Sequence, residues 1–387
     1  MTALDAETRT ADDVLEAVRA LGPAIAGQAA EVEAARRLPT DLLEQLLAAG
    51  AFRVLLPPSH GGLGADLTSA MRIFEALATA DASTGWTVMI GAGGWIDLAG
   101  LPRTMFDALY AEGPDIVIAG VINPSGSIEA VDGGYRVTGR WSFASGCEHA
   151  QWLFVDCVEG LVDGVPKLRM AVLQPDELVI EDTWHVSGLR GTGSHHVHVD
   201  GVVVPAERTF PTLDAEPCID APIVRVSPPA LLACAVASVA LGTAQGAVDE
   251  IVAIASDKVP LLEAARLAAN PTFQLDLATA DTELRAARSL LYDAARGLWA
   301  TAVAGAEPTL VERARARAAA AWATERAAAV VDTAYRAGGG GSVYADCPLQ
   351  RRLRDVHAIT QHFLVRRDTM TTAGAILAGN DVELLLF

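Results

Sequence analysis

The chain has 387 residues, of which 51% are hydrophobic and 20% are charged. That composition supports a large buried core and excludes a disordered chain. Asp and Glu outnumber Lys and Arg by 48 to 29, so the formal net charge is −19. A surface this acidic repels a phosphate backbone and an anionic bilayer, so we expect neither nucleic acid nor a membrane as a partner.

The cysteines and the N-terminus indicate the compartment. Five cysteines form no CxxC pair, which favours reduced thiols over a disulfide framework or a zinc site. The first residues are acidic and lack the basic and apolar blocks of a signal peptide. The most apolar run, residues 230–241, has about half the length needed to cross a bilayer and predicts a buried helix. We therefore expect a soluble, cytoplasmic protein.

Helical periodicity dominates the first third of the chain, from residue 12 to about residue 112. Leu42, Leu43, Leu46 and Leu47 lie on one face of such a helix and form an apolar stripe. A loop rich in Pro and Gly at residues 57–64 interrupts the pattern, and a further helix is predicted over residues 68–80. These features predict an N-terminal helical domain, residues 1–113.

The middle of the chain reads as strands separated by turns. Residues 115–119, 152–158, 168–173 and 196–204 are β-branched or alternate between apolar and polar. Asp132-Gly133-Gly134 between two such runs predicts a tight hairpin. We expect short antiparallel strands that form a small barrel or sandwich, residues 114–216.

Helical patterns return after this region and continue to the end of the chain. Following the apolar run, helices are predicted over residues 275–299, 308–338 and 351–377, and we assign residues 217–387 to a helical bundle. The predicted fold class is therefore α+β with mostly α structure. If residues 351–377 form one helix, Asp355 and His362 share one of its faces.

Several catalytic signatures are missing from the sequence. It contains neither the phosphate loop GxxxxGK[ST], nor HExxH, nor a GxSxG placed on a strand-to-helix turn. The triple His195, His196 and His198 resembles a metal cluster, but only His196 and His198 share a strand face. A two-His-one-carboxylate site with Asp200 stays open as an alternative, while exposed strand positions are the simpler interpretation. We expect no metal.

Three segments combine residues that carry chemistry. Residues 141–146 and 184–194 end in small or hydroxyl-bearing residues, which suit a flat ligand with polar edges or a phosphate. Ordinary turns at strand ends are the simpler interpretation of both segments. Asp355 and His362 near the Gly-rich residues 338–341 suit a tuned general base, and structural ion pairs of Arg351 or Arg354 are the alternative.

Taken together, these segments resemble the acyl-CoA dehydrogenase superfamily over nearly the whole chain. The closest resemblance is to its two-component, reduced-flavin-dependent monooxygenases, which include the oxygenases of 4-hydroxyphenylacetate hydroxylase type. It is carried by LPPSHGGLG at residues 56–64, LATADASTGW at 77–86, GRWSFASGCEHAQW at 139–152, DTWHVSGLRGTGS at 182–194, and Arg354-Asp355 followed by His362. The resemblance implies an N-terminal helical domain, a central β domain and a C-terminal four-helix bundle, usually in a homotetramer.

The two branches of this superfamily differ in one catalytic group. A dehydrogenase needs a carboxylate to remove a proton from its thioester substrate. In the two places where the superfamily carries that carboxylate, this sequence has Phe363 and the apolar residues 231–234. An acyl-CoA dehydrogenase with a base from elsewhere is the first alternative, and a binding subunit without activity is the second.

The resemblance also implies roles for particular residues in a flavin-dependent hydroxylation of an aromatic or polycyclic substrate. Ser145 offers its hydroxyl at the reactive edge of the flavin, and His362 assists a flavin hydroperoxide or deprotonates a phenolic substrate. Flavin contacts are expected from Asn123, Trp141, Ser142, Ser145, Arg190, Thr192, Ser194, Gly339 and Gly340. A substrate pocket is expected from Trp86, Met89, Ile90 and Phe363.

The resemblance further implies how the flavin is supplied. Dehydrogenases that bind FAD permanently carry an Arg near the start of a bundle helix, where residues 270–274 of this chain have none. We therefore expect reduced FMN or FAD as a diffusing co-substrate, delivered by a separate NAD(P)H:flavin reductase.

Overall fold

The computed structural model describes residues 9–382 of the chain. Its first part is helical, and the boundaries of the helices follow the apolar stripes and the capping residues. Asp81 caps the helix that carries Trp86, because its buried carboxylate accepts the backbone N–H of Thr84 over 2.8 Å. The helices are α1 (Ala11–Ala35), α2 (Thr40–Ala49), α3 (Leu67–Ala80), α4 (Ala82–Asp97) and α5 (Arg103–Leu109).

Seven strands follow and form one mixed sheet in the order β5-β6-β2-β1-β3-β4-β7. The predicted hairpin is confirmed, since Val131 pairs with Gly134 across the turn between β1 and β2. The sheet is not purely antiparallel, because β3 returns along the free side of β1 and runs parallel to it. The strands are β1 (Ile118–Val131), β2 (Gly134–Ala144), β3 (Trp152–Val162), β4 (Val165–Leu173), β5 (Val179–Glu181), β6 (His195–Val204) and β7 (Thr209–Pro211).

The C-terminal helices pack around α6, which lies against α3, α8 and α9. Within residues 9–382, α6 is the one helix long and apolar enough to cross a bilayer, and 89% of its most apolar window is buried. This confirms the prediction of a buried helix at residues 230–241. The helices are α6 (Pro228–Asp257), α7 (Pro271–Val303), α8 (Leu310–Ala337), α9 (Pro348–Ile359) and α10 (Thr369–Leu377).

The helical, strand and helical segments occur in the predicted order, and the predicted α+β class is confirmed. The boundaries proposed after residues 113 and 216 fall in the connections between α5 and β1 and between β7 and α6. All five cysteines are unpaired in this structure.

The prediction of one continuous helix over residues 351–377 is wrong in its middle. Helix α9 ends at Ile359, and His362 lies in the turns that lead to α10. The Thr360 hydroxyl bonds back to His357 O, and the N–H of His362 bonds to Ile359 O, so the chain tightens into turns. Asp355 and His362 therefore do not share a helix face.

Candidate active site

Three hydroxyl groups meet where β2 ends and β6 begins. Ser145 follows β2, and Thr192 and Ser194 precede β6. Ser145 Oγ lies 2.7 Å from Ser194 Oγ, which lies 2.6 Å from Thr192 Oγ1. All three side chains are buried, so the sheet holds a short chain of hydroxyls at this edge.

Trp86 of α4 connects this hydroxyl chain to His362. Its indole N–H donates to Ser145 Oγ over 3.1 Å. The same ring meets the imidazole of His362 edge to face, with ring centroids 5.4 Å apart. The ring of Phe363, the next residue, lies against that of His362 at a centroid distance of 4.9 Å. The sequence thus brings together residues of α4, the sheet and the turns after α9.

His362 is held as a neutral imidazole. Burial lowers its pKa to about 4, so the ring carries no charge near neutral pH. The N–H of Leu364 faces Nδ1 at 3.4 Å, which favours the tautomer with the hydrogen on Nε2. In that form His362 offers an N–H to an oxygen atom and can take a proton only through Nδ1.

Asp355 serves a different purpose from a catalytic base. Its buried carboxylate accepts the backbone N–H of Leu189 over 2.7 Å, and burial together with the nearby Asp81 raises its pKa to about 7. Gly188 lies so close to α9 that an added Cβ would come within 2.0 Å of Arg354 O. Asp355 therefore holds the turn that leads to Thr192 against α9.

The two positions that carry the base in acyl-CoA dehydrogenases hold no carboxylate. Phe363 stacks against His362, and Leu231 and Cys234 lie in the buried face of α6. Burial raises the pKa of the Cys234 thiol to about 12, so this group does not act as a base either.

The structure does not support the expected flavin contact of Trp141. Its side chain is 0% exposed inside the sheet core, and its indole N–H donates to Asp156 O over 2.7 Å. Strand alternation would place Trp141 and Phe143 on one face, but a register shift against β6 separates them. Phe143 adopts φ +70° and is 68% exposed, so it is the aromatic side chain that faces outward.

No residue pattern in the sequence marks the bulge at Phe143, so its exposed position was not predicted. Its ring meets Trp184 edge to face at 6.0 Å, and the indole N–H of Trp184 donates to Leu189 O over 2.9 Å. A non-glycine residue with this φ carries strain, which is common beside functional sites. Phe143 and Trp184 form an aromatic surface next to the hydroxyl chain.

The other predicted contacts are distributed over two areas. Asn123 is exposed where the pairing of β1 with β3 shifts register, and Ser142 is half-buried on β2. Buried Nε of Arg190 has no hydrogen-bond partner among the described residues. Gly339 and Gly340 lie elsewhere, on the exposed turn between α8 and α9, where Lys258 donates to Gly338 O.

Two predicted pocket residues differ in their surroundings. Ile90 is half-buried, as a lining residue would be, whereas Met89 is 2% exposed and belongs to the hydrophobic core. Met89 faces the core because adjacent residues of α4 point to different sides of the helix. The expectation that Met89 lines a pocket is therefore not supported.

The three histidines at positions 195, 196 and 198 occupy positions that the strand structure explains. His195 is buried, and its Nδ1 accepts the N–H groups of Thr183 and Trp184 over 3.2 and 3.3 Å. His196 and His198 alternate with buried valines, as the strand pattern indicates. Within residues 9–382, no group of three or more His, Cys, Asp or Glu side chains is arranged to hold a metal ion.

The residues present fit a flavin. The exposed ring of Phe143 and the half-buried ring of Trp184 supply an aromatic surface, and Ser145, two residues after Phe143, supplies a hydroxyl oxygen. Arg190 Nε is a buried donor without a partner among the described residues, which suits an anionic or carbonyl group of a ligand. A flat ring system with polar edges and a phosphate has this combination of features.

Comparison with known proteins agrees with this fit. The profiles of the acyl-CoA dehydrogenase N-terminal and C-terminal domains match residues 8–100 and 234–367. The chain is 33% identical to indole-3-acetate monooxygenase of Pseudomonas putida, over 90% of this chain and 89% of that one. It is 32% identical to the oxygenase component of the FADH(2)-dependent resorcinol hydroxylase of a Rhizobium species, over 89% of this chain and 88% of that one.

A solved structure extends the comparison to the fold. XiaF from a Streptomyces species, in complex with FADH2 and glycerol, superposes with a TM-score of 0.89 over 96% of both chains, at 26% identity. The chain therefore belongs to the flavin-dependent monooxygenases of the acyl-CoA dehydrogenase superfamily, and it is an oxidoreductase that uses reduced flavin.

Proposed function

We propose that this chain is the oxygenase component of a two-component system. It hydroxylates an aromatic or polycyclic compound at the site formed by Trp86, Ser145 and His362. The observation that carries the proposal is the position of Trp86 between Ser145 and the neutral His362, where dehydrogenases need a carboxylate. When bound there, reduced flavin supplies the electrons that activate O₂.

The side chains of this site have distinct tasks in the proposal. Phe143 supports the ring system, and Arg190, Asn123 and Ser142 hold its polar groups and its phosphate. His362 donates its Nε2–H to an oxygen atom at the reacting centre, or accepts a phenolic proton through Nδ1 after the bond to Leu364 breaks.

Water exclusion is the second task of the site. Trp86 is almost fully buried, and the ring of Phe363 lies against that of His362. Together with Ile90, these rings make the expected substrate pocket dry, which strengthens the hydrogen bonds inside it. The names of the relatives, an indole-3-acetate monooxygenase and a resorcinol hydroxylase, support an aromatic substrate.

The proposal includes a separate partner and an assembly. A relative named as an oxygenase component supports a separate reductase, and the chain has no dinucleotide-binding glycine pattern of its own. We infer an NAD(P)H:flavin reductase and a cytoplasmic homotetramer. Exposed Gly339 and Gly340 beside the cation of Lys258 would then contact the tail of a neighbouring subunit's flavin.

The variant His362→Ala tests the role of the imidazole. We expect reduced-flavin affinity to stay within about twofold, while product formed per NADH falls at least about tenfold and H₂O₂ rises in proportion. The matched control is His357→Ala, because His357 is exposed on α9 and bonds to Asp332. Undiminished product per NADH in His362→Ala would overturn the role.

A binding experiment separates this function from the dehydrogenase alternative. The purified chain is titrated without oxygen with reduced FMN and with reduced FAD, and then mixed with oxygenated buffer. We expect tight binding of a reduced flavin and its oxidation after the oxygen pulse. Permanently bound yellow FAD that is bleached by an acyl-CoA would instead establish a dehydrogenase.

A further inference from the structure

A cleft lies apart from the candidate active site, between helices from the first and the last parts of the chain. Helices α1 and α7 both pack against α3, and the space between them has a volume of about 730 Å³. This volume is within the size range of small-molecule sites. The cleft shares no lining residue with the site formed by Trp86, Ser145 and His362. It is therefore a separate place where a small molecule can bind.

Small residues make up much of the wall of this cleft. Those of α1 are three or four positions apart in the sequence, so they lie on one face of the helix, and those of α3 do the same. The space beside Gly22 is open, because an added Cβ would have no heavy atom within 4 Å. Such walls suit the apolar body of a ligand. The small residues are Gly22, Pro23 and Ala26 of α1 and Ala76 and Ala80 of α3.

The carboxylate that lines the cleft is already paired. Glu75 of α3 accepts the Nε–H of Arg288 and the hydroxyl hydrogen of Tyr292, each over 2.7 Å. Arg288 also donates through Nη2 to Gln245 over 3.1 Å. Each oxygen of Glu75 thus has a donor, and the charge of Arg288 balances that of Glu75. An anion in the cleft therefore meets little repulsion from this carboxylate.

Two further arginines of the lining are available to a ligand. Arg19 of α1 is exposed and makes no ion pair or hydrogen bond within residues 9–382. Arg72 of α3 pairs with Asp12 over 3.3 Å, and both of these side chains are exposed. An exposed pair of this kind contributes little stability, so Arg72 can exchange Asp12 for another anion. The cleft therefore has an excess of positive charge, although the whole chain has a net charge of −19.

We propose that this cleft binds an organic carboxylate with an apolar body, at a site separate from those of the flavin and the hydroxylated substrate. The carboxylate lies between Arg19 and Arg72, whose planar guanidinium groups match its two oxygens. The apolar body lies along the small residues of α1 and α3. A singly charged head group suits the small excess of positive charge, and a neutral compound of the same shape leaves that charge unused.

Calorimetric titration with a matched pair of probes tests the requirement for a charge. The purified chain is titrated with 2-naphthoate and with the neutral 2-naphthamide. We expect the cleft to bind 2-naphthoate at least about tenfold more tightly than the amide, because only the carboxylate uses the arginine charges. Arg19→Gln should weaken the binding of 2-naphthoate at least about threefold. The control Arg285→Gln removes an exposed arginine of α7 that does not line the cleft, and it should leave the affinity unchanged.

The variant Gly22→Leu tests the place of binding. Its side chain fills the open space in the cleft, and leucine is a better helix former than glycine, so α1 should still fold. We expect this variant to lose one 2-naphthoate site per chain. The matched control is Gly27→Leu, because Gly27 also lies in α1 with no heavy atom within 4 Å of an added Cβ but does not line the cleft.

The results separate this inference from the proposed function. A parent chain that binds no 2-naphthoate, or that binds the amide equally well, would overturn the inference. The same holds if binding is unchanged in either Arg19→Gln or Gly22→Leu. None of these results affects the proposed flavin site, which the titration with reduced flavin tests on its own.

Discussion

Trp86 and His362 meet edge to face at 5.4 Å, although one lies near the start of α4 and the other in the turns after α9. The contact joins the N-terminal helical segment to the end of the bundle at the point where the hydroxyl chain of the sheet begins. The site therefore exists only when all three segments are folded together.

The hydrogen bond from Trp86 should make a measurable contribution to the fold. Trp86→Phe removes the N–H that Ser145 accepts, and we expect it to lower the free energy of unfolding by about 1 kcal/mol in addition to the packing loss. The matched variant is Trp95→Phe on the same helix. Trp95 is equally buried, but its Nε1 has no partner within residues 9–382.

Urea unfolding of the two Trp variants provides the measurement. Because Trp95→Phe relieves a buried N–H without a partner, it should destabilise the protein less than Trp86→Phe. Equal losses in the two variants would show that the bond to Ser145 contributes nothing.

His362 should make stability depend on pH. Its pKa is about 4 in the folded chain and near 6.5 when exposed, so the unfolded chain binds the proton first as the pH falls. The neutral imidazole therefore contributes to the free energy of unfolding in full above about pH 6.5. This contribution, at most about 3 kcal/mol, is lost as the pH falls towards 4. Urea unfolding of His362→Gln between pH 4 and 7 should show a flatter profile than that of the parent. A slope identical to the parent's would refute the burial of a neutral imidazole.

The turn at Gly188 and Leu189 should pack against α9 only if residue 188 is glycine. In Gly188→Ala the new methyl group would meet Arg354 O at 2.0 Å, which the backbone cannot absorb without moving apart. We expect a loss of at least about 3 kcal/mol in unfolding free energy, together with weaker flavin binding.

Gly297→Ala is the control for this substitution. No heavy atom lies within 4 Å of the position that its Cβ would take, and Gly297 is inside α7. Alanine is the better helix former, so this variant should gain up to about 1 kcal/mol. Calorimetric melting of both variants checks the pair, and similar melting temperatures would contradict the proposed close contact.

The elements were predictable where local patterns decide them. The Asp132-Gly133 turn and the buried α6 follow from turn chemistry and apolar runs, which act over a few residues. The orientations of Trp141 and Phe143 were not predictable, because a bulge shifts β2 against β6 and reverses which side chain faces out. The position of His362 beyond α9 likewise depends on tight turns without any Gly or Pro signal.

The contacts within the hydroxyl chain were likewise not predictable from the sequence. Ser145, Thr192 and Ser194 were all recognised through the resemblance, each as a separate flavin contact. Thr192 and Ser194 are neighbours in one turn, but the 2.7 Å distance from Ser145 to Ser194 arises only when β2 and β6 pair. The structure thus turns three expected flavin contacts into one connected group of hydroxyls.

We expect Phe143 to lower the stability of the fold and to raise the affinity for flavin. A non-glycine residue at φ +70° costs about 1–2 kcal/mol, and the exposed ring recovers little of this by packing on Trp184. Phe143→Gly should therefore unfold at an equal or higher urea concentration than the parent, while the dissociation constant of reduced flavin rises about 10-fold through loss of the aromatic support. The control is Asp163→Gly, which relieves φ +51° in the turn between β3 and β4 and should leave flavin binding unchanged. If Phe143→Gly lost stability and kept full flavin affinity, Phe143 would belong to the fold and not to the site.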